Sequence, residues 1–307
     1  MGLFFTYDDV VRFAQLFRRM PAEIAEELRG WHWSEGVLLP GYDFKLSVTD
    51  VVSEFCETGR HVYVKYVLKR REEPSPILER GGFIHAVYAR AVEHAKKLIY
   101  DGVTSGQRFR AEFMLAGSDV LHGLLDGEFK RMNREVAKRI FNALWSNAAN
   151  TYASALDRYS ARSPYLTIDG LAAMTIPVIA EYPVDGSLIG LNRAIRIDAM
   201  LPPAIIVEMK TRRLNPRYDI GLAAYALAFE SQYEIPVNYA ILLNVRFSDD
   251  GSVYHVYERH VLISDALRQK FVEERDKLMQ IIDSKMDPGK PSHCDPHCPF
   301  LNVCREW

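Results

Sequence analysis

Residues 196–210, RIDAMLPPAIIVEMK, contain two short apolar stretches, each of which carries a carboxylate. In the second stretch Glu208 and Lys210 alternate with apolar residues, so on a β-strand both side chains point to the same face. The remaining Ala-Ile-Ile-Val is typical of a buried central strand. Because unpaired buried charges are costly, the acid and the lysine must either pair with each other or belong to a functional site.

The first stretch places Asp198 at the end of the preceding strand. Two adjacent strands would bring Asp198 and Glu208 within reach of one hard cation, which prefers oxygen ligands. Such a cation lowers the pKa of an attacking water and offsets charge on a phosphodiester, while Lys210 could position the water or stabilise the oxyanion. A plain salt bridge at a sheet edge remains the alternative, because a lone Glu-x-Lys is common.

The surrounding sequence predicts an α/β fold with a sheet flanked by helices. Some segments are short and strand-like, with a hairpin signal at Asp185-Gly186 and a turn at 249–251, whereas others have apolar residues at helical spacing. The predicted strands are 177–184, 187–191, 193–200, 204–210, 237–245 and 253–260. The predicted helices are 7–17, 21–28, 217–233, 264–286 and a helical layer over 82–160, which we expect to break near 101–102 and 116–117. The proline-containing segment 69–82 is predicted to be a solvated connection.

Charge is distributed unevenly along the chain. The net charge of −2 over 307 residues gives no sign of nucleic-acid binding, but residues 193–217 hold six basic side chains against two acidic ones. The charge map matters more than the total when the partner is a phosphate backbone. Arg212 and Arg213 directly follow the Glu-x-Lys strand, so we expect them to contact the phosphates of DNA.

No apolar run approaches the roughly 20 residues that span a bilayer, and the first residues lack the basic and small-residue features of a secretory signal. The sequence therefore predicts a soluble cytoplasmic protein without a membrane partner.

Two further segments carry candidate site residues. Gly81-Gly82-Phe-Ile-His85 opens the predicted helical layer and would place His85 in its first turn. A lone histidine is more often a packed or surface residue than a ligand. Tyr225 and Glu230 lie on the helix after the Glu-x-Lys strand, from which they could reach a substrate.

The order Gly-x-x-x-His, Asp, Glu-x-Lys and a tyrosine-bearing helix resembles the RecB-like branch of the PD-(D/E)xK nucleases. This resemblance implies a nuclease core built on a mixed sheet flanked by helices. It also implies Mn²⁺ or Mg²⁺ held by four groups, with Lys210 assisting the water and Tyr225 completing the catalytic set. The four implied ligands are His85, Asp198, Glu208 and the backbone carbonyl of Met209. The sequence departs from the family at Gly221, where the helix usually carries a glutamine, and this leaves DNA contacts from that position open.

The four cysteines fall as Cys56 and then Cys294, Cys298 and Cys304. Disulfides are not expected without an export signal, and the C-terminal three lie among Pro, Asp, His and Asn, where loops wrap a ligand. Four thiolates suit zinc or an iron–sulfur cluster equally by count, and His293 and His297 are further candidate zinc ligands. Spacing alone leaves iron–sulfur, zinc and unliganded thiols open.

Two segments narrow the resemblance. Residues 56–63, CETGRHVY, and residues 221–228, GLAAYALA, are similar to the CRISPR-associated nuclease of the spacer-acquisition machinery, the fourth Cas family in its archaeal Csa variant. The similarity covers roughly residues 45–95 and 175–305. It implies a [4Fe-4S] or [2Fe-2S] cluster on the four cysteines, exonuclease activity on single-stranded DNA, and a CRISPR integrase as partner.

Three regions follow from this interpretation: a helical N-terminal region (1–80) with the first cluster cysteine, a RecB-like nuclease core (81–285) with a helical insertion, and a C-terminal iron–sulfur clasp (286–307). Two other functions are compatible with the sequence. One is a catalytically weak DNA-binding or scaffold subunit of the integration complex, suggested by Gly221, although the intact Asp198, Glu208 and Lys210 argue against it. The other is a DNA-repair nuclease with structural zinc.

Overall fold

The computed structural model describes residues 2–52, 55–72, 75–163 and 165–306. Ten α-helices and five β-strands are assigned within these ranges. The helices are α1 (Tyr7–Phe17), α2 (Val48–Val52), α3 (Arg60–Val62), α4 (Pro76–Tyr100), α5 (Gly106–Asp126), α6 (Arg134–Arg162), α7 (Ile168–Thr175), α8 (Tyr218–Tyr233), α9 (Asp265–Ser284) and α10 (Leu301–Glu306). The strands are β1 (Ile179–Val184), β2 (Ile195–Leu201), β3 (Ile205–Lys210), β4 (Tyr239–Phe247) and β5 (Tyr254–Leu262).

The strands form one mixed sheet in the order β1-β2-β3-β4-β5. Neighbouring strands are antiparallel except β3 and β4, which are parallel and are connected by α8. A parallel pair requires such a crossover, because the chain must return to the same end of the sheet. The predicted mixed sheet flanked by helices is therefore confirmed, and β3 is the buried central strand that its apolar composition predicted.

Each face of the sheet supports its own hydrophobic core. On one face α1 and the long helices α4 to α6 pack on residues such as Val207 and Leu243; we call this the helical-layer core. On the other face α8 and α9, together with apolar residues from 38–62, pack on residues such as Ile206 and Leu242; we call this the α8–α9 core. The first 80 residues thus contribute to both cores, and the proposed division at residues 80 and 285 stays a prediction.

Several predicted boundaries were wrong in the helical layer. Helix α5 continues through Gly117, where a break was expected. A Cβ at this position would lie 2.9 Å from Nε1 of Trp145, which explains why the residue is a glycine. The glycine serves close packing of α5 on α6 rather than a turn. Helix α4 begins at Pro76, inside the expected connection, because proline suits the first turn of a helix, where its missing N–H needs no partner. His85 consequently lies in the third turn of α4, not in the first.

Two other predicted elements were also wrong. Residues 187–191 form a 3₁₀ turn at Ser187–Ile189 that ends at Gly190 in the left-handed conformation, so they do not form a strand. Asp185 Oδ1 accepts a hydrogen bond from the backbone N–H of Ser187 (2.9 Å) and stabilises this turn. The segment 21–28 contains only the 3₁₀ turn Glu26–Leu28. Within the described residues, no helix is both long enough and apolar enough to cross a lipid bilayer.

Candidate functional site

The two predicted carboxylates lie on adjacent strands. The register of β2 and β3 pairs Ala199 with Val207, so Asp198 and Glu208 occupy the next position along the ladder. Asp198 Oδ2 accepts a hydrogen bond from the backbone N–H of Met209 (2.7 Å). The carboxylate of β2 is thereby fixed to the backbone of β3 between Glu208 and Lys210.

His85 reaches this pair from the helical layer. Its Nδ1 lies 3.1 Å from Asp198 Oδ1, although the two residues are 113 positions apart in sequence. Burial opposes protonation of His85, but the charge of Asp198 and this hydrogen bond outweigh it and raise the pKa of the imidazole above its ordinary value. The sequence alone could not show whether His85 is a site residue or an ordinary packed residue. In the structure it contacts Asp198 of the acidic pair.

Glu208 and Lys210 are paired, with Nζ donating to Oε1 over 2.6 Å. Glu208 is only 5% exposed, and no hydrogen-bond partner is found for its Oε2 in the described part of the chain. Burial and the negative charge of Asp198 raise the pKa of Glu208 to about 7, despite the opposing effect of Lys210. For Asp198, burial is outweighed by His85, Lys210 and the Met209 amide, and its pKa is lowered. Two neighbouring buried carboxylates thus compete for the same positive charges.

The chemistry of this donor set fits a divalent cation. An imidazole and two carboxylates, one of which has an unpartnered buried oxygen, are groups that hard or borderline cations bind. Among the described residues, however, no three His, Cys, Asp or Glu side chains are arranged to hold a metal ion as they stand. In this arrangement Lys210 contacts Glu208 and His85 contacts Asp198, so each carboxylate is partly neutralised by a neighbouring side chain.

Tyr225 approaches the same carboxylates from α8, on the opposite side of the sheet from His85. Burial raises the pKa of its hydroxyl well above the ordinary value, and the charges of Glu208 and Asp198 add to this effect. A third carboxylate, Glu181 of β1, contributes as well. Sequence reasoning did not single out Glu181.

Glu230, in contrast, is not part of the site. It is fully buried and forms ion pairs with Arg268 (2.6 Å) and Arg29 (3.0 Å). It also accepts hydrogen bonds from the backbone N–H groups of Gly30 and Val237. The expectation that Glu230 reaches a substrate was therefore wrong, because this carboxylate holds α8 to its neighbours in the core.

Gly221 is explained by packing. It lies in the buried part of α8, where a Cβ would meet Cγ2 of Val52 at 3.0 Å and Cγ1 of Val48 at 3.6 Å. Helix α2 therefore occupies the space into which a glutamine at this position would extend. The departure from the usual Gln-x-x-x-Tyr pattern reflects a close helix contact, and the acidic pair remains in place.

Sequence reasoning also missed Asn244. This residue is 3% exposed in the otherwise apolar β4 and lies beside Lys210 in the parallel register. Its Nδ2 donates to the carbonyl oxygens of Lys210 (2.9 Å) and Arg212 (2.6 Å). It therefore fixes the backbone that leaves β3. The available signal was a polar side chain within AILLNV, because a buried amide needs hydrogen-bond partners.

The two arginines after β3 have different surroundings. The Arg212 guanidinium lies 3.6 Å from Asp295 and 4.5 Å from the ring centroid of Phe55, so it faces the C-terminal tail. Arg213 is exposed to solvent. Of the two expected DNA contacts, only Arg213 has a side chain on the open surface.

Cys56 and Cys298, from distant parts of the sequence, line one small cavity, and none of the four cysteines forms a disulfide. Burial raises the pKa of Cys298 to about 11, and the proximity of the other three thiols contributes to this rise. Burial would also raise the pKa of Cys56, but His61 and Thr58 outweigh it and lower the pKa to about 7. The environment of Cys56 therefore favours a thiolate, the form that binds metals.

Other contacts tie these chain ends together. Arg60 forms a bidentate ion pair with Asp287, with Nε–Oδ1 and Nη2–Oδ2 distances of 2.8 Å. Thr58 Oγ1 donates to the carbonyl oxygen of Gly289 over 2.9 Å. The segment after Cys56 is thus attached to the segment that precedes the C-terminal cysteines.

Comparison with known proteins identifies one family. The model of the family described as "CRISPR-associated exonuclease Csa1" matches residues 3–306. A protein named CRISPR-associated exonuclease Csa1 from Saccharolobus solfataricus is 34% identical over 306 residues, covering 98% of this chain and 99% of the relative. A protein of the same name from Thermoproteus tenax is 31% identical over 301 residues, covering 96% and 99%.

The packing at Gly221 gives a first prediction. Gly221→Gln should destabilise the protein by about 1–3 kcal/mol, because the added side chain overpacks the contact between α8 and α2. Gly221→Ala, which adds only the Cβ, should have a free energy of unfolding between those of the parent and Gly221→Gln. Chemical denaturation followed by circular dichroism would measure this series, and a glutamine variant as stable as the parent would contradict the packing explanation.

Proposed function

Because the chain belongs to the Csa1 family of CRISPR-associated exonucleases, we propose that it is a divalent-metal-dependent exodeoxyribonuclease. One observation carries the proposal: Asp198 and Glu208 form a buried pair of carboxylates. Lys210 binds Oε1 of Glu208, whereas Oε2 has no hydrogen-bond partner among the described residues. Burying a second negative charge is unfavourable unless a cation compensates it. Glu208 and Asp198 therefore have a physical reason to bind Mn²⁺ or Mg²⁺.

The cation would be held by His85, Asp198, Glu208 and the backbone carbonyl of Met209. When bound, it would lower the pKa of the attacking water and offset the charge that develops on the phosphate. The ammonium group of Lys210 donates a hydrogen bond to Glu208 and lies 4.9 Å from the ring centroid of Tyr218. These contacts orient the ammonium group to donate to the water or to a phosphate oxygen.

Tyr225 has a different role in this proposal. Its raised pKa keeps the phenol protonated, so the hydroxyl acts as a hydrogen-bond donor to a phosphate oxygen rather than as a base. Asn244 supports the site indirectly, because it fixes the carbonyl groups of Lys210 and Arg212.

We further propose that the substrate is single-stranded DNA and that cleavage serves CRISPR spacer acquisition beside the CRISPR integrase. The CRISPR-associated names of the relatives support this context. The exposed Arg213, directly after β3, is the proposed phosphate contact. Arg212 would support the tail through Asp295 instead.

The four cysteines are proposed to hold an iron–sulfur cluster. Support comes from the mutual proximity of the thiols and from the lowered pKa of Cys56. Thiolates are the usual ligands of such clusters. A cluster shared by Cys56 and the three C-terminal cysteines would link both ends of the chain and stabilise the folded state that binds it.

Removal of the central charges should abolish cleavage. Glu208→Ala removes a cation ligand and Lys210→Ala removes the group that positions the water, so each should lower the rate by at least about 100-fold. The measurement is digestion of end-labelled single- and double-stranded DNA with and without Mn²⁺. Glu234→Ala, a change of an exposed acid at the end of α8, is the control. Wild-type rates in both site variants would refute the assignment.

The arginines can be separated by salt dependence. Arg213→Gln should reduce the slope of log binding constant against log salt concentration by about one, because one phosphate contact is lost. Arg212→Gln should leave the slope unchanged and lower the melting temperature, since its partners lie in the tail and at Phe55. Fluorescence anisotropy at several salt concentrations would measure the slope. Equal slopes for the parent and Arg213→Gln would contradict the proposed contact.

The cluster can be tested at its most distant ligand. Cys56→Ala should remove bound iron and the visible absorbance, and it should lower the melting temperature because metal binding is coupled to folding. Elemental analysis distinguishes iron from zinc. His293→Ala and His297→Ala are matched controls that should retain iron. A Cys56→Ala protein with full iron content would show that the three C-terminal cysteines suffice.

A further inference from the structure

Glu181 has an unusual backbone conformation for its place in the fold. It lies in the middle of β1 with a φ of 51°, in the left-handed region. This region costs a residue with a side chain on the order of 1 kcal/mol or more, and glycine or asparagine usually occupies it. A glutamate in this conformation calls for a reason in its side chain or its neighbours.

The position of Glu181 connects it to the acidic pair. The register of β1 and β2 runs from Ala180–Ala199 to Tyr182–Ile197, so Glu181 lies opposite Asp198. The negative charge of Glu181 also acts on Tyr225, together with those of Asp198 and Glu208.

In both β1 and β2, the alternation of side chains between the two faces of the sheet is interrupted at Glu181 and Asp198. In a regular strand, residues two apart point to the same face. In β1, however, Ala180 packs against the helical-layer core, whereas Tyr182 packs against the α8–α9 core. In β2, Ile197 belongs to the α8–α9 core and Ala199 to the helical-layer core. The left-handed residue therefore marks the point at which the pleat is broken beside Asp198.

The side chain of Glu181 is accessible to solvent and weakly paired. It is 37% exposed and forms an ion pair at 3.6 Å with Arg196, whose side chain is 71% exposed. An exposed pair at this distance contributes little to stability. Glu181 and His85 line the same cleft.

We propose that Glu181 is a third carboxylate of the divalent-cation site, acting on the hydrated cation from the cleft. The inference rests on the proposed function. What it adds is the position of Glu181 beside Asp198 in a left-handed conformation, next to a site in which the buried Glu208 Oε2 has no partner among the described residues. Mg²⁺ and similar cations keep several waters when they bind to proteins. A nearby carboxylate that binds such waters increases the affinity of the site.

The test measures cation binding rather than cleavage. Glu181→Gln keeps the shape of the side chain and removes its charge, so it should weaken Mn²⁺ binding by about tenfold or more. Free Mn²⁺ is followed by its electron paramagnetic resonance signal, and the Mn²⁺-dependent rise in melting temperature gives a second readout. Glu181→Gly also removes the carboxylate but relieves the left-handed strain, so it should show the same loss of affinity even if its metal-free stability differs.

Two controls separate the charge of Glu181 from other effects. Glu128→Gln changes an exposed acid of the same cleft and should leave Mn²⁺ affinity unchanged. Arg196→Gln removes the partner of Glu181 and should not weaken binding. The inference is overturned if Glu181→Gln binds Mn²⁺ like the parent, or if Arg196→Gln loses as much affinity as Glu181→Gln.

The parent protein and Glu208→Ala distinguish this inference from the proposed function. Binding by the parent that is lost in Glu208→Ala supports the metal site, and Glu181→Gln then decides the role of the third carboxylate. A parent protein that binds no Mn²⁺ overturns the proposed metal site and this inference with it.

Discussion

The placement of Asp198 and Glu208 side by side in a buried part of the sheet constrains much of the structure. Two carboxylates in such an environment repel each other, and the chain supplies compensation from several directions. His85 contacts Asp198 from the helical layer, Lys210 contacts Glu208 from the same strand, and the Met209 amide binds Asp198 across the ladder. The elements that bring these groups together are therefore as important as the groups themselves.

Helices on both faces of the sheet contribute side chains to the site. Tyr225 comes from α8 on one face and His85 from α4 on the other, and the broken pleat at Glu181 lies beside Asp198. The long helices of the helical layer hold α4 in position, with Gly117 allowing α5 to pack closely on α6 under Trp145. The helical layer, which the sequence could only predict to be helical, thus has a structural role, since α4 carries His85.

The chain ends form a second region that contacts the first. Arg60 and Thr58 attach the segment after Cys56 to the C-terminal tail, and Arg212 connects that tail to the end of β3. Because Asn244 binds the carbonyl groups of both Lys210 and Arg212, one amide side chain links β3 to the segment that faces the C-terminal tail.

Local sequence pattern was enough to predict the helix 7–17, the central strand with its Glu-x-Lys, α8, and the family to which the chain belongs. Alternation and helical spacing are local, so they are visible in one dimension. Which polar residues contact one another became visible only in the three-dimensional structure. Glu230 forms ion pairs in the core instead of reaching a substrate. Gly221 and Gly117 allow close helix packing, and Asn244 and Glu181 lie near the acidic pair. These outcomes depend on contacts between residues far apart in sequence, whose geometry no local pattern encodes.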